Sequence, residues 1–390
     1  MRSPTMDTQM NRRDFLRLLT VGTGVLLASP YITFASAETD RRFIFIIQRG
    51  AADGLNTVIP YADPAYAKLR GALAIDVSKA TRLDSLFALH PSLVETAKLY
   101  ASGQALFVHA VASPYRDRSH FDGQNVLETG GTAPYQMKDG WLNRLLTLLP
   151  KSQSEAIAFA STVPMALRGK VEVTSYAPSA LPQASDDLLM RVSQLYSNDA
   201  QLHALWMAAM DARSMADEPG SKQDPASFDK LAASFLARAD GPRIAMIETG
   251  GWDTHTGQEG RLARQLKALD TLVASLREGL GQTWQKTTIV VATEFGRTAA
   301  ANGTGGTDHG TASATMILGG DVNGGRVIAD WPGLGNSALY EGRDLKPTTH
   351  LDTLISSIIA QGFGVDPEKL AATLFPDSKL SKLTTGLLRS

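Results

Sequence analysis

The stretch that decides the fold is residues 244–298, IAMIETGGWDTHTGQEGRLARQLKALDTLVASLREGLGQTWQKTTIVVATEFGRT. Two short apolar runs, Ile244 to Ile247 and Thr288 to Ala292, flank a long amphipathic segment from Gly260 to Leu280. Neither run alternates apolar with polar residues, which is typical of strands buried on both faces of a parallel sheet. A strand, a helix and a second strand in this order predict one βαβ unit.

The same alternation extends through the rest of the chain. Phe43 to Ile47, Ala105 to Val111 and Ala314 to Leu318 predict further buried strands. Helical patterns lie at residues 93–100, 119–128, 141–149 and 350–361. We therefore predict an α/β fold with a mostly parallel sheet and helices on both faces, formed by one domain over residues 38–390. Residues 152–242 have helical periodicity and a polar tract, which predicts a helical insertion.

The N-terminus predicts where the protein works. Arg12 and Arg13 precede Phe-Leu, and a mild apolar stretch from Leu18 to Ala28 follows. Ala35-Ser36-Ala37 is a small-residue cleavage site. Paired arginines in this setting are typical of twin-arginine export. We predict that residues 1–37 are an export signal, cleaved after Ala37, and that the mature protein is periplasmic or secreted.

The composition excludes several classes of function. The chain has no cysteine, so it has no disulfides, no thiolate nucleophile and no iron–sulfur cluster. A net charge of -1 implies no nucleic-acid partner. No second apolar span of membrane length follows the signal, so we expect no membrane span after its removal. Any metal must be bound by His, Asp and Glu, which suits zinc, manganese, magnesium or calcium.

Polar clusters follow the predicted strands in the C-terminal half. Because ligands of open α/β sheets gather beyond the carboxyl ends of strands, these clusters indicate a metal or acid–base site. The alternative is that they are turn and capping residues. A salt bridge between Glu294 and Arg297 that orders the loop is a further alternative, as is an anion clamp by Arg297. Three clusters in one half of the chain favour a site. Its candidate residues here are Asp253, His255, Glu294, Arg297, Asp308 and His309.

Four motifs together resemble a known family. They are Arg-Gly-Ala-Ala-Asp-Gly-Leu at 49–55, Ser-His-Phe-Asp at 119–122, Gly-Gly-Trp-Asp-Thr-His at 250–255 and Thr-Glu-Phe-Gly-Arg-Thr at 293–298. With these motifs the chain resembles a twin-arginine-exported bacterial family of unknown function within the alkaline-phosphatase/sulfatase-like superfamily. The resemblance spans the whole predicted mature chain. It implies an alkaline-phosphatase-like fold and a two-metal hydrolase.

The resemblance also assigns roles near the N-terminal strands. Asp53 matches a carboxylate that binds metal after the first strand, although Asp-Gly is also an ordinary turn signal. Ser119 matches a hydroxyl nucleophile at the start of a helix that ends in Thr129-Gly130. His120, the next residue, is the alternative as a base or a ligand. A helix N-terminus there would favour an anionic ester.

The later ligands match the superfamily only in part. Asp253 and His255 are two residues apart, whereas the superfamily spaces this pair by four. Glu294 is retained, but Phe295 stands where the superfamily has histidine. His309, with an aspartate before it, matches the last ligand. The departures imply one complete metal site and a damaged second site.

Two functions follow from these observations. The first is an exported, metal-dependent hydrolase of phosphate or sulfate esters, acting on an anionic ester or glycan. The alternative is a non-catalytic binding protein or cell-envelope assembly protein on a degenerate alkaline-phosphatase-like scaffold, because fold does not fix function.

Overall fold

The computed structural model describes residues 40–150, 156–176, 225–379 and 381–389, with the isolated positions 192, 196 and 206. The described strands are β1 Arg42–Gln48, β2 Val58–Ile59, β3 Thr81–Arg82, β4 Ala88–Leu89, β5 Ala105–Ala112, β6 Ala156–Phe159, β7 Thr174–Ser175, β8 Ile244–Thr249, β9 Thr287–Ala292, β10 Ser313–Leu318, β11 Arg326–Ile328 and β12 Thr349–His350. The described α-helices are α1 Gly54–Thr57, α2 Tyr66–Arg70, α3 Val94–Ala101, α4 His120–Thr129, α5 Trp141–Leu146, α6 Pro225–Ala237, α7 Gln258–Leu280, α8 Leu351–Phe363 and α9 Pro367–Leu374.

Nine of the described strands form one sheet in the order β11-β5-β10-β9-β1-β8-β6-β7, with β12 also paired to β5. β1 is parallel to both of its neighbours, and Ile46 pairs with Ile247 of β8 and with Val291 of β9. β10 is antiparallel to β5 and β9. The predicted α/β class, with a mostly parallel sheet, is therefore confirmed. A separate small antiparallel sheet has the order β2-β4-β3.

Helices cover both faces of the main sheet. Alternate residues of β1 explain this, because successive side chains of a strand point to opposite faces. Phe45 packs on Trp141 of α5, with ring centroids 5.3 Å apart, in a cluster that also includes α8 and α9. Ile46 belongs to the opposite cluster, with α3, α6 and α7. The buried stripe of α7 recurs every three or four residues through Leu262, Leu266, Leu269, Val273, Leu276 and Leu280.

The region predicted as a helical insertion, residues 152–242, is described only in part. Its first described segment contributes β6 and β7 to the main sheet, and Ala158 of β6 pairs with Met246 of β8. The four-residue run of β6 is too short to show a period, which is why the sequence did not reveal it. α6 packs in the same hydrophobic cluster as α7. Most of residues 177–224 of the insertion and the predicted export signal lie outside the described residues and stay predictions.

Within the part of the chain that the structure describes, no helix combines the length and the apolar character needed to cross a membrane.

Candidate metal centre

One edge of the sheet gathers the polar clusters. β8 and β9 end there and lead into the loops that carry Asp253, His255 and Glu294. β10 runs in the opposite direction, so His309, which precedes it, reaches the same edge. α4 follows β5 and brings His120. The topology therefore brings residues from four loops to one place.

Asp253 lies at the centre of this cluster. Its Oδ1 is 3.0 Å from Nε2 of His255 and 3.4 Å from Nε2 of His309. Its Oδ2 is 3.5 Å from Nε2 of His120. The Nε2 atoms of His255 and His309 are 3.0 Å apart. His120, Asp253 and His309 each offer one ligand atom within 4.8 Å of the others, so these three residues can hold a metal ion.

Each of the three imidazoles has its Nδ1 engaged by a group that can only accept a hydrogen bond. Carboxylate and carbonyl oxygens carry no proton, so each Nδ1 must be the donor. In the neutral imidazole the other nitrogen, Nε2, then presents a lone pair. The acceptors are the Glu294 carboxylate for His120, the Asp308 carboxylate for His255 and the Arg118 backbone carbonyl for His309, each at 2.9 Å.

When all three rings are neutral, three lone pairs and one carboxylate thus face one another. Nε2 of His120 is buried and has no hydrogen-bond partner among the described residues. A cation among these acceptors removes their mutual repulsion. A tetrahedral ion with ligand bonds of about 2.1 Å places neighbouring ligand atoms about 3.4 Å apart. The separations of 3.0–3.5 Å from Asp253 to the three imidazoles and between His255 and His309 are close to this spacing, and the group of His120, Asp253 and His309 fits a divalent metal.

Glu294 is a buried carboxylate next to the centre that holds the His120 ring in place. Its side chain is fully buried, and Oε1 accepts hydrogen bonds from the Gly50 N–H at 2.8 Å and from Gln124 at 3.1 Å, besides that from His120. Oε2 accepts from the Thr293 hydroxyl at 2.9 Å. Burial acts to raise the pKa of Glu294, but these hydrogen bonds outweigh it and the net pKa is lowered. Glu294 is thus an ionised group that orients His120.

Opposite pKa shifts distinguish the two partly buried histidines. The hydrogen bond to Glu294 raises the pKa of His120, against the effect of burial. Burial lowers the pKa of His309, and the charge of His120 lowers it further. Burial acts to raise the pKa of Asp253, but Arg297 outweighs it and the net pKa is lowered. At neutral pH His309 therefore keeps its lone pair, and Asp253 is an anion.

Arg297 positions Asp253. Its side chain is fully buried, and all three guanidinium nitrogens donate to protein acceptors. Nη1 donates to Oδ1 of Asp253 at 2.7 Å, and Nε donates to the Thr307 hydroxyl at 3.1 Å. Nη2 donates to the Thr307 carbonyl. The alternative salt bridge between Glu294 and Arg297 does not form. An anion clamp by Arg297 is also unsupported, because its guanidinium is enclosed by protein.

Asp53 lies apart from the cluster, contrary to its expected role as a ligand. It is the N-cap of α1, with Oδ1 accepting from the Leu55 and Asn56 N–H groups. The buried Arg70 makes a two-pronged salt bridge with it at 2.5 and 3.0 Å. Gln258 donates to its Oδ2 at 2.5 Å. These partners occupy both oxygens, so the carboxylate has a structural role here.

Ser119 and Asp308 border the centre. Ser119 is the N-cap of α4, directly before His120, and its backbone N–H donates to the Tyr115 hydroxyl at 3.1 Å. Asp308 accepts from Asn302 at 3.1 Å as well as from His255. Those hydrogen bonds, that from His255 first, lower the pKa of Asp308. Asp308 therefore orients His255, while its second oxygen stays available at the rim.

Two glycines allow the loops to approach so closely. Gly50 has φ +120, and a Cβ there would lie 2.6 Å from the backbone nitrogen of Asp253. A Cβ on Gly306 would lie 2.3 Å from the carbonyl oxygen of His255. Any side chain at either position would push apart the segments that carry the ligands.

Sequence reasoning missed several supporting residues. Gln124 lies four positions after His120, on the same face of a helix, and this spacing was the available signal. Arg118 acts through its carbonyl, and its left-handed backbone, φ +62, aims that oxygen at His309. Arg70 gave no signal, because its partner Asp53 lies in another segment of the chain. Asn302 lies in the same loop as Asp308, but its contact with the His255 carbonyl depends on tertiary packing.

Comparisons with solved structures find distant similarities. Ps i-CgsB in complex with k-i-k-neocarrahexaose has a TM-score of 0.43 at 12% identity, covering 85% of this chain and 73% of that chain. A protein in the alkaline phosphatase superfamily from Vibrio parahaemolyticus has 0.42 at 9%, covering 83% and 67%. The C-terminal periplasmic domain of EcEptC from Escherichia coli has 0.41 at 10%, covering 91% of each chain. None of these similarities identifies an activity for this chain.

No curated protein matches the chain significantly. A family model described as "Protein of unknown function (DUF1501)" matches residues 40–378. This match covers all the loops of the candidate metal centre and most of the chain. The chain therefore belongs to the DUF1501 family of proteins of unknown function.

Proposed function

We propose that this chain is a hydrolase of phosphate or sulfate esters that depends on one divalent metal ion. The observation that carries the proposal is the convergence of three Nε2 atoms on the Asp253 carboxylate, with every Nδ1 already engaged. The four sequence motifs resemble a family within the alkaline-phosphatase/sulfatase-like superfamily, and that resemblance supports this class of reaction.

Zinc is the ion that these donors suit best. Three imidazoles and one carboxylate are typical zinc ligands. Magnesium and calcium prefer oxygen ligands, of which this centre offers few. The proposed ligands are His120, Asp253, His255 and His309. Their outer partners support this assignment, because metal-binding histidines commonly donate their second N–H to a carboxylate or carbonyl.

The chain's own residues would hold the ligands in place and bind the ester beside them. Arg297 holds Asp253, and Glu294 keeps the proton on Nδ1 of His120, so that Nε2 stays available. The first turn of α4 offers free backbone N–H groups beside Ser119, and such groups favour an anionic ester. When bound, the metal supplies Lewis acidity toward an ester oxygen and activates a nucleophile. That nucleophile is either the Ser119 hydroxyl or water.

A metal-dependent binding protein is the second candidate function, and one observation favours it. Asp53 is neutralised by Arg70, and Glu294 is enclosed by donors. Two carboxylates expected to serve a two-metal mechanism are therefore committed to structural contacts. A single centre would still bind an anionic glycan or join a cell-envelope assembly without turnover.

We also propose that the protein acts outside the cytoplasm on an anionic ester or glycan, as one domain over residues 38–390. The support is the twin-arginine pattern at Arg12 and Arg13. Replacing both by Lys should leave the protein in the cytoplasmic fraction. Normal export of that double variant would remove the twin-arginine assignment.

Metal content and turnover together test the proposed function. Protein purified from the periplasm of its own host should contain about one zinc ion per chain by elemental analysis. It should hydrolyse 4-nitrophenyl phosphate or 4-nitrophenyl sulfate, and a chelator should stop this turnover. A metal-loaded protein without turnover on either ester supports the binding protein instead. Native protein that contains no metal but still hydrolyses these esters contradicts both the metal-dependent hydrolase and the metal-dependent binding protein.

A further inference from the structure

A cleft of about 310 Å³ opens beside the metal centre. Three segments form its walls: Leu69 of α2, residues 298–302 with Asp308, and residues 334–343. Asp308 links the cleft to the centre, because it lines the cleft and its Oδ1 is 2.9 Å from Nδ1 of His255. Arg343 also lines the cleft and donates to the backbone carbonyl of His309. The cleft therefore lies next to the metal centre, on the Nδ1 side of His255.

The cleft presents more hydrocarbon than free polar groups. Leu69, Leu334 and Leu339 line it together with two alanines. Asn302 is a lining residue whose amide is used by the protein, since it donates to the His255 carbonyl and accepts from Thr304.

Three polar side-chain groups of the cleft remain available for a ligand. The Thr298 hydroxyl is not one of them, because it donates to the Ala300 carbonyl and accepts from the Asp308 N–H. The three are the Asn336 amide, Nη1 of Arg343 and the second oxygen of Asp308; Nε of Arg343 lies 3.6 Å from the Asp344 carboxylate. A ligand here would be recognised mainly by its apolar surface.

We propose that this cleft binds the alcohol part of the ester, and that this part is one compact, hydrocarbon-rich ring system with a hydrogen-bond acceptor for Arg343. This inference rests on the proposed hydrolase function. The volume lies at the lower end of ligand pockets, about 300–1,000 Å³, which suits one ring system better than an extended chain. A sugar, with hydroxyl groups around its ring, would find too few free partners.

The fluorescent alcohol 4-methylumbelliferone tests the cleft without requiring turnover. Binding is measured by equilibrium dialysis on the purified full chain, with and without a chelator. Ala300→Trp fills the cleft from an exposed position, so folding should be unaffected. Ala101→Trp is the matched control, because Ala101 is exposed at the end of α3 and does not line the cleft.

We expect the wild type and Ala101→Trp to bind the alcohol equally, and Ala300→Trp to bind it at least roughly tenfold more weakly, the effect of losing about 1.4 kcal/mol. Zinc affinity should be the same in all three proteins. Equal binding by Ala300→Trp, or no binding by the wild type, overturns the proposal. Tighter binding of galactose 6-sulfate than of 4-methylumbelliferyl sulfate also overturns it. If the alcohol binds as expected but no ester is turned over, the cleft assignment stands and the hydrolase function fails.

Discussion

Nδ1 of His120 lies 2.9 Å from Oε1 of Glu294, and the Glu294 side chain is fully buried. The carboxylate has three further donors around it, so it cannot turn away from the imidazole. His120 also stacks on Phe295, with ring centroids 5.2 Å apart. The ring is therefore fixed with Nε2 toward Asp253, and its orientation depends on a residue that is not itself a ligand.

Glu294→Ala should weaken metal binding although no ligand atom is removed. Loss of the orienting carboxylate frees the His120 ring, and changes of this kind cost roughly 10- to 100-fold in metal affinity. A competition titration with a chromophoric chelator measures this. Glu294→Gln should retain part of the affinity, because an amide oxygen can still accept from Nδ1. Glu259→Ala, at an exposed position of α7, is the control. Unchanged affinity in Glu294→Ala would show that the contact is structural only.

A chelator should lower the melting temperature of the wild type but not of His309→Ala. A ligand that binds only the native state stabilises it by about 4 kcal/mol at a thousand times its Kd. His309→Ala removes a donor that lies within the cluster, so it should bind little metal. Scanning calorimetry with and without chelator measures both proteins. His350→Ala, at an exposed histidine outside the cluster, should behave as the wild type. Equal shifts in His309→Ala and the wild type would exclude His309 as a ligand.

The sequence allowed the elements around the site to be predicted, because they are long and periodic. The buried stripe of α7 and the apolar runs of β1, β8 and β9 are local patterns. The direction of β10 was not predictable, since a short strand such as Ser313–Leu318 carries no sequence signal for whether it runs parallel or antiparallel to its neighbours. Its reversal matters, because it brings His309 to the carboxyl edge of the parallel strands.

The site was predictable where polar clusters lie at the ends of strands on one edge of the sheet. Asp253 and His255 follow β8, His309 precedes the antiparallel β10, and the structure brings the three together. Asp53 also follows a strand, but it does not join the cluster, because Arg70, seventeen positions later in the chain, pairs with it. Such pairings depend on tertiary contacts between segments without a shared sequence pattern. Glu294 was expected to bind metal or pair with Arg297, and its contact with His120 depends on how α4 packs.

Asp352→Asn should stabilise the protein at neutral pH. Burial raises the pKa of Asp352 to about 6, while the hydrogen bond from Ser378 acts to lower it. The folded pKa exceeds the ordinary value of 3.8, so the folded state binds a proton that the unfolded state releases. Stability therefore falls as pH rises from about 4 to about 6, by up to roughly 3 kcal/mol. Urea unfolding at pH 8 should show the gain in Asp352→Asn, and at pH 4 the two proteins should match.

The matched control for that pH dependence is Asp330→Asn, at an exposed aspartate. It should change stability by less than about 0.5 kcal/mol at either pH, as surface substitutions usually do. A gain in Asp352→Asn that is equal at pH 4 and pH 8 would contradict the titration of Asp352. The change would then reflect the new amide rather than the loss of a buried charge.

His109 should make the folded protein less stable as pH falls, whereas Asp352 makes it less stable as pH rises. Burial lowers its pKa to about 4, with the Val58 carbonyl acting to raise it. Nδ1 accepts from the Ala110 N–H, which leaves no room for a proton there. Neutral His109 contributes fully to the free energy of unfolding above its unfolded pKa of about 6.5. This contribution is lost as pH falls toward 4, by up to roughly 3 kcal/mol. Nitrogen NMR of the imidazole should show one neutral tautomer, protonated at Nε2, down to about pH 5. Protonation of this ring above pH 6 in the folded protein would contradict the assignment.

Ser119→Ala should distinguish the two possible attacking groups. Ser119 is not among the proposed ligands, so the variant should bind zinc with the affinity of the wild type. If the hydroxyl attacks the ester, turnover should fall by about 10³-fold or more, because a nucleophile that forms a covalent intermediate is lost. Rapid acid quenching of the wild type should then trap one phosphoryl or sulfuryl group on Ser119, located by peptide mass spectrometry. Ser102→Ala, at the C-cap of α3, controls for the loss of a hydroxyl elsewhere. Wild-type turnover in Ser119→Ala, with no trapped adduct, would assign the attack to water.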